Sequence, residues 1–153
     1  MKRKQNKGFT LAELLIVVAI IGVLVAISIP IFSKQLEKSR DATSVANLRS
    51  AYAEAMNEAL SPSVSRSGYT DQSKHIALVL YSDGSVKNVT VYGVVIKSKK
   101  RNNWSGLGDN LPFYSKISDK NNPGSDTGVA STARVVFTFS DGDGVLESVQ
   151  ILH

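Results

Sequence analysis

The feature that most constrains this chain is a long uncharged run near its amino terminus. From Leu14 to Ser33 every side chain is neutral, and most of them are Leu, Ile, Val, Ala or Phe. A helix of roughly 20 residues at about 1.5 Å per residue is long enough to cross a bilayer. The run therefore predicts a membrane-spanning helix.

Basic residues precede the apolar run and predict its orientation. Lys2, Arg3, Lys4 and Lys7 stand in the first eight positions, which contain no acidic residue. The positive-inside rule places such a leader in the cytoplasm and the residues after Lys34 on the far side of the membrane. Without these four, 14 basic residues stand against 13 acidic ones. The whole-chain charge of +5 is thus a poor guide to the partners of the remaining body.

Two features distinguish this segment from an ordinary signal peptide. A secretory signal places its cleavage site after the apolar region, whereas the one plausible processing junction here, Gly8-Phe9, precedes it. The second feature is Glu13, because an ionised carboxylate costs on the order of 2.5 to 3.5 kcal/mol at the centre of a bilayer. Cleavage after Gly8 would create an α-ammonium on Phe9, four residues before Glu13. If the two groups belong to neighbouring chains, their attraction sets the stagger between the helices.

The segment KGFTLAELLIVVAIIGVLVAISIP, residues 7–30, resembles the class III leader and helix start of type IV prepilins and of the pseudopilins of type II secretion and competence systems. The resemblance covers roughly the first 35 residues and rests on the spacing of glycine, phenylalanine, glutamate, glycine and proline. It implies that a membrane aspartic peptidase removes the leader after Gly8 and N-methylates Phe9. It also implies that Glu13 neutralises a neighbouring amino terminus, and that the stretch from Gly22 to Pro30 loses helicity within a filament.

The chain is expected to divide into a cleaved leader, 1–8, a transmembrane or assembly helix, 9–33, and a globular head, 34–153. Beyond Pro30 the helical pattern continues, so one helix is predicted from Phe9 to about Leu60. Its first half would bury its apolar surface only in a membrane or against copies of itself. Pro62 and Gly68 lie within a connector, 61–68, that ends the helix. An apolar stripe on the second half is predicted to cover the head: Val45, Leu48, Tyr52, Met56 and Leu60.

Two β-hairpins are predicted after the connector. Residues 75–97 alternate apolar and polar side chains on either side of Asp83-Gly84, and residues 134–152 do the same around Asp141 to Gly144. Between them, Lys99 to Gly128 reads as a long surface excursion, with anchors at Trp104, Phe113 and Tyr114. The predicted fold class is α+β, with an antiparallel sheet packed on the second half of a long amino-terminal helix.

Few residues indicate catalysis or metal binding. Cysteine is absent, and the two histidines, His75 and His153, belong to no metal-spacing motif. Glu54 and Glu58 form an i,i+4 carboxylate pair that is interpreted as a solvated helix face. The Asp141-Gly-Asp143-Gly segment is interpreted as a turn; a calcium loop would need further oxygen ligands, and Glu147 lies too near for the usual spacing. No cofactor, metal site or enzyme activity is predicted.

A basic run follows the first hairpin and leaves two interpretations open. Its residues are Lys97, Lys99, Lys100 and Arg101, and Trp104 stands close by in the sequence. Phosphate neutralisation together with aromatic stacking would suit a DNA contact. The favoured interpretation is an ordinary solvated loop, because short basic runs are common.

The leading functional hypothesis is therefore a structural one. The resemblance implies a homo-oligomeric helical filament that is processed by a prepilin peptidase and N-methyltransferase, with an assembly platform and minor pilins as further partners. Before assembly the chain would span the membrane once, and afterwards it would be part of an extracellular surface filament. The alternatives are a pseudopilin of a secretion or DNA-uptake system and, in a different class, a monomeric membrane-anchored binding module.

Overall fold

One long helix and one antiparallel sheet make up the described structure, which is a computed structural model. The chain forms two compact units, Met1–Leu36 and Glu37–His153. The helix, α1 (Leu11–Leu60), contributes residues to both. The structure describes residues 8–61, 70–71, 75–99, 103–118, 131–141 and 143–152.

In the first unit the described residues are helical from Leu11 onwards, and all their side chains are exposed. The helix continues through Gly22 and Pro30. It contains a stretch that is long and apolar enough to cross a membrane, by length and composition. The predicted start at Phe9 is two residues early, because the first helical residue is preceded by a capping residue, Thr10.

The second unit contains a five-stranded antiparallel sheet whose strands are ordered as they occur in the chain. Both predicted hairpins are confirmed, and they join into one sheet because the second strand of the first hairpin pairs with the first strand of the second. The short first strand was not predicted. The strands are β1 (Thr70–Asp71), β2 (Ile76–Leu80), β3 (Val86–Ile96), β4 (Ser131–Phe139) and β5 (Leu146–Leu152).

The core of this unit lies between α1 and one face of the sheet. The ring of Tyr52 on α1 lies 5.0 Å from that of Phe113 and 5.9 Å from that of Phe137 on β4, measured between centroids. The predicted α+β class is thereby confirmed. The predicted stripe is wrong at Leu60, which is 80% exposed. Leu60 is the last residue of the helix; the helix residues that do form the buried face include Val45, Leu48, Ala51 and Ala55.

The segment 103–118 contributes to the core as well as to the surface. It forms three short 3-10 helices, Asn103–Gly106, Gly108–Asn110 and Tyr114–Lys116. Trp104 and Phe113 are fully buried and Tyr114 is half-buried. The predicted anchors are confirmed, because Trp104 and Phe113 lie in the core and Tyr114 packs against it, whereas the segment as a whole is more than a surface loop. The remainder of the predicted excursion, 100–102 and 119–128, lies outside the described residues, as does nearly all of the connector.

Side chains of α1 hydrogen-bond the backbone of the last part of β3 and the residues after it. The Asn47 side-chain amide donates to the Val95 carbonyl (2.7 Å), and the Lys97 backbone N–H donates to the Ser44 hydroxyl (2.9 Å). Alternate residues of a strand present their backbone groups along one edge. The helix thus supplies the partners that a neighbouring strand would supply elsewhere in the sheet.

A buried polar cluster extends this contact. The Ser44 hydroxyl also accepts hydrogen bonds from the backbone N–H (3.0 Å) and the hydroxyl (2.9 Å) of Ser98, and it donates to the Arg40 carbonyl (2.9 Å). About two turns earlier on the helix, the Glu37 carboxylate accepts a hydrogen bond from the Lys99 backbone N–H (2.7 Å). Ser44 and Ser98 are both fully buried. The cluster fixes the chain leaving β3 against the helix.

The far edge of the sheet, on β5, is also partly covered. The backbone N–H of Ser118 donates to the Val149 carbonyl (3.0 Å), and Ile117 forms an isolated parallel bridge with Val149. The end of the 103–118 segment therefore lies along the middle of β5.

Candidate functional site

The candidate assembly segment begins with the residues that start α1. Gly8 and Phe9 precede the helix, and the Phe9 side chain is 83% exposed. The Leu14 backbone N–H donates to the Thr10 carbonyl (3.3 Å), which makes Thr10 the N-cap of the helix. The predicted cleavage junction is thus accessible in the described structure and lies just outside the first helical turn.

Thr10 and Glu13 form a reciprocal capping box. The Glu13 carboxylate accepts hydrogen bonds from the backbone N–H and the hydroxyl of Thr10, both at 2.8 Å and both at its Oε2 atom. In return, the Thr10 hydroxyl accepts one from the Glu13 backbone N–H (3.2 Å). This T-x-x-E arrangement satisfies amide groups that have no partner within the helix. Sequence reasoning missed it, although the Thr10-to-Glu13 spacing is itself the signal.

The capping box gives Glu13 a local role alongside the predicted intermolecular one. A carboxylate has two oxygens with about four lone-pair positions, and the two capping hydrogen bonds both end on Oε2. The group therefore retains capacity for a cationic partner. Its negative charge also lies in the first turn, where the helix dipole favours it. The pairing of Glu13 with a Phe9 ammonium stays a prediction.

The stretch from Gly22 to Pro30 is helical but contains three locally weakening features. Gly22 is a poor helix former, and apart from the neighbouring helix backbone no atom lies within 4 Å of the position a Cβ would occupy there. The Ser28 hydroxyl donates to the Leu24 carbonyl (2.7 Å), a contact that slightly destabilises and bends helices. Pro30 has no backbone N–H to donate to the preceding turn. Loss of helicity within a filament stays a prediction for this stretch.

Only some of the residues predicted to form a basic surface are exposed in the described structure. Lys97 and Lys99 have exposed side chains, while Lys100 and Arg101 lie outside the described residues. Trp104 is 0% exposed, and its ring packs edge-on against that of Tyr114, 6.5 Å away. The indole is therefore unavailable to stack on a base, and its predicted place in a DNA contact is wrong. It is a core residue.

The turn between β4 and β5 uses Asp143 as an internal cap. Its carboxylate accepts hydrogen bonds from the Ser140 hydroxyl and from the Val145 backbone N–H (3.2 Å). These two contacts hold the pKa of Asp143 below its ordinary value, the Ser140 hydroxyl contributing most. Gly144 has a φ of 64°, as the tight turn requires. This geometry accords with the interpretation of the segment as a turn; Asp141 is exposed.

The turn between β2 and β3 is built in the same way. Asp83 accepts hydrogen bonds from the Ser85 hydroxyl (2.7 Å) and backbone N–H (2.9 Å). The side-chain contact, followed by the backbone one, lowers the pKa of the Asp83 carboxyl. Gly84 has a φ of 91° and donates to the Tyr81 carbonyl (3.1 Å). Asp83-Gly84 therefore forms the hairpin turn that the sequence predicted.

The remaining candidate acid-base residues do not form a catalytic arrangement. Glu58 is 8% exposed, so its interpretation as part of a solvated face is wrong, whereas Glu54 is exposed. His75 is exposed and precedes β2, where its carbonyl accepts a hydrogen bond from the Tyr92 backbone N–H (2.7 Å). His153 lies outside the described residues. Within the described residues, no group of three or more His, Asp or Glu side chains is placed to hold a metal ion.

Comparison with known proteins gives matches that cover only part of the chain. Residues 3–29 match the family model of the prokaryotic N-terminal methylation motif. The type IV major pilin protein PilA of Myxococcus xanthus is 52% identical over 48 residues, which are 31% of this chain and 22% of that protein. The type IV narrow pilus major component PilA5 of Thermus thermophilus is 51% identical over 57 residues, 35% of this chain and 48% of that protein. Fimbrial protein Q of Moraxella bovis is 49% identical over 43 residues, 28% of this chain and 27% of that protein.

The chain thus spans less than half the length of these relatives, and no solved structure matches it. The match and the apolar helix together define a protein with an N-terminal methylation motif. The matched part of the chain is thus similar to that of type IV pilins, and a long helix with an antiparallel sheet packed on it follows from the structure. The matched relatives are named as pilins and fimbrial proteins.

Proposed function

We propose that this chain is the precursor of a structural subunit of a type IV pilus-like extracellular filament. Processing removes the leader, 1–8, after Gly8, and the new amino terminus on Phe9 is N-methylated. The segment 9–33 then serves as the membrane and assembly helix, and 34–153 as the head. The chain acts as a substrate of its processing enzyme and is not itself an enzyme.

The observation that carries this proposal is the acidic residue directly before the uncharged run, Leu14 to Ser33, that forms the first part of α1. Glu13 lies beside the junction Gly8-Phe9, and its carboxylate is oriented by the capping box with Thr10. A fixed carboxylate next to the future amino terminus is prepared to receive an ammonium from another copy. Pairing the two charges lowers the cost of holding either one in an apolar environment.

The proposed cellular route follows from the charge pattern. The basic leader stays in the cytoplasm while α1 anchors the precursor in the membrane. A prepilin peptidase and N-methyltransferase then acts on the junction, and an assembly platform with minor pilins extracts the subunit into the filament. A pseudopilus of a secretion or competence system uses the same chemistry. The relatives named above are pilins and fimbrial proteins, which favours a pilus.

Two substitutions separate the capping role of Glu13 from its charge. Glu13→Gln retains a side-chain carbonyl that can cap Thr10, since Gln also serves in capping boxes, but it removes the charge. Thr10→Val retains the charge and removes the hydroxyl. We expect Glu13→Gln to insert into the membrane and lose nearly all filament yield, and Thr10→Val to keep most of it. Filaments of normal yield from Glu13→Gln would show that charge pairing is not required.

Mass spectrometry of the protein from its host tests the processing step. The expected amino terminus is N-methylated Phe9, and electron microscopy of sheared surface material should show filaments that contain it. A chain that still begins at Met1 and stays monomeric in the membrane would refute the proposal and favour a membrane-anchored binding module.

A further inference from the structure

One end of the sheet in the unit Glu37–His153 carries a group of exposed carboxylates. They lie in the β2–β3 turn, in the β4–β5 turn and at the start of β5. The two turns are linked directly, because the Tyr81 hydroxyl donates to the Phe139 carbonyl at the end of β4 (3.1 Å). We call this group the acidic end, and its members are Asp83, Asp141, Asp143 and Glu147.

Three of these carboxylates act on one side chain, that of Tyr81, which lies in the β2–β3 turn. The pKa of the Tyr81 phenol is raised first by burial and then by the negative charges of Asp141, Glu147 and Asp83. Lys87 offsets part of this charge, since its ammonium lies 5.4 Å from the centre of the Tyr81 ring. The two hairpin turns therefore present a shared negative surface.

The opposite end of β3 presents lysines. Lys97 and Lys99 follow the strand directly and their side chains are exposed, while their backbone N–H groups are fixed by Ser44 and Glu37 of α1. The Glu37 carboxylate is buried and is also ion-paired with Arg40 (3.4 Å). The charges presented outward are thus those of the lysines. We call Lys97 and Lys99 the basic end; the next two residues in the sequence, Lys100 and Arg101, continue the positive run outside the described part.

The two ends are too far apart to neutralise each other within one chain. β3 separates them with 11 residues, which at about 3.3 Å per residue is roughly 35 Å. Salt screens exposed charges beyond about 8 to 10 Å. Each end therefore remains available to an oppositely charged surface on another molecule.

We propose, building on the filament function proposed above, that the acidic end of one head docks against the basic end of the head of a second copy. Two acidic ends, or two basic ends, repel each other, which disfavours a symmetric pair. A contact between unlike surfaces leaves one end of each kind free, so it repeats from copy to copy. This is the type of contact that a growing filament of identical subunits needs.

Charge reversal on each end tests the docking. The variants are Asp141→Lys with Glu147→Lys, Lys97→Glu with Lys99→Glu, and all four together; Asp83 and Asp143 are left intact because they cap their turns. Each reversed pair should lower the filament yield of the full chain about tenfold, because like charges then face each other. The variant that carries all four substitutions should recover most of the filament yield. Lys116→Glu, an exposed lysine beside the middle of β5, is the control and should assemble normally.

The other outcomes overturn the docking proposal. A normal filament yield from both reversed pairs would do so. So would a quadruple variant whose filament yield is no higher than that of either pair. A defect confined to the lysine substitutions would indicate a different partner for the basic end, such as DNA. Amino-terminal processing and the Glu13→Gln variant are measured in parallel. If Glu13→Gln abolishes filaments while the charge reversals do not, the docking is wrong and the filament function stands.

Cysteine cross-linking gives a second test that does not depend on yield. The natural chain has no cysteine, so there is no background reaction. In filaments of a chain carrying both Asp141→Cys and Lys97→Cys, a short bifunctional maleimide should link successive copies into a ladder. A chain with either substitution alone should give no cross-linked product larger than a dimer. The chain with Asp141→Cys and Lys116→Cys should give no ladder. The contact would be refuted if filaments of the Asp141→Cys, Lys97→Cys chain, treated with the maleimide and then denatured, gave only monomers on a gel.

Discussion

Substitution of Ser44 by alanine should destabilise the head more than any surface serine would. The Ser44 hydroxyl is fully buried and accepts hydrogen bonds from two backbone N–H groups, those of Lys97 and Ser98. Alanine removes the acceptor and leaves both donors in place. A buried donor without a partner costs roughly 1 to 3 kcal/mol.

The net cost follows from the burial of each donor. The Ser98 N–H is buried, so it would bear the whole cost of an unpaired donor. The Lys97 N–H is only part-buried, so water would partly replace its lost partner. Alanine is a better helix former than serine, but by no more than about 0.7 kcal/mol. We therefore expect the free energy of unfolding to fall by about 2 to 4 kcal/mol, a large share of the roughly 5 to 15 kcal/mol typical of a domain.

Urea unfolding of the full chain in detergent micelles measures this cost. Trp104 is the only tryptophan and is fully buried in the same unit, so its fluorescence reports on the head. The matched control is Thr43→Ala. The Thr43 hydroxyl donates only within the helix, to the Ser39 carbonyl (3.0 Å), so its loss should change the free energy by less than about 0.5 kcal/mol. Equal stability of Ser44→Ala and Thr43→Ala would refute the reasoning.

Three further predictions concern caps and turns. Thr10→Val should weaken the first turn of α1 by about 1 kcal/mol, seen as faster amide hydrogen exchange there in micelles. Because their pKa values are lowered by folding, Asp83 and Asp143 stabilise their turns above the ordinary carboxyl pKa of about 4. This contribution is lost as the pH falls through the lower folded values; Asp83→Asn with Asp143→Asn should therefore flatten the pH dependence of the melting temperature below pH ~4. Gly93→Ala should cost about 1 to 2 kcal/mol in urea unfolding, since φ is 75° there and the space for a Cβ is open.

The elements that depend on local patterns could be predicted from the sequence. The helix was predicted from residue 9 to about 60 and is found at Leu11–Leu60, because an uncharged run long enough to span a bilayer leads directly into a stripe with three- and four-residue spacing. Both hairpins follow from alternation around turns rich in aspartate and glycine. The capping box of Thr10 and Glu13 was also within reach, because its two residues are three positions apart.

Contacts between distant parts of the chain could not be predicted in this way. Ser44 and Glu37 resemble solvated helix residues in the sequence, and only the position of Lys97 to Lys99 beside them gives them buried partners. Trp104 had two interpretations, an anchor of its loop or a stacking residue beside the basic run, and only its contacts with distant residues decide for the core. The bulge between Val91 and Val94 is marked by a glycine, but its position depends on pairing with β4.

The covered edges of the sheet have a consequence for association between copies of this chain. Exposed strand edges invite other chains to add strands, which leads to amyloid-like association. Here helix side chains occupy the free backbone groups after β3, Ile117 and Ser118 lie along β5, and β1 has only two residues. In the filament function proposed above, heads that collide at the membrane surface would therefore not add strands to one another, and ordered assembly would remain available to them.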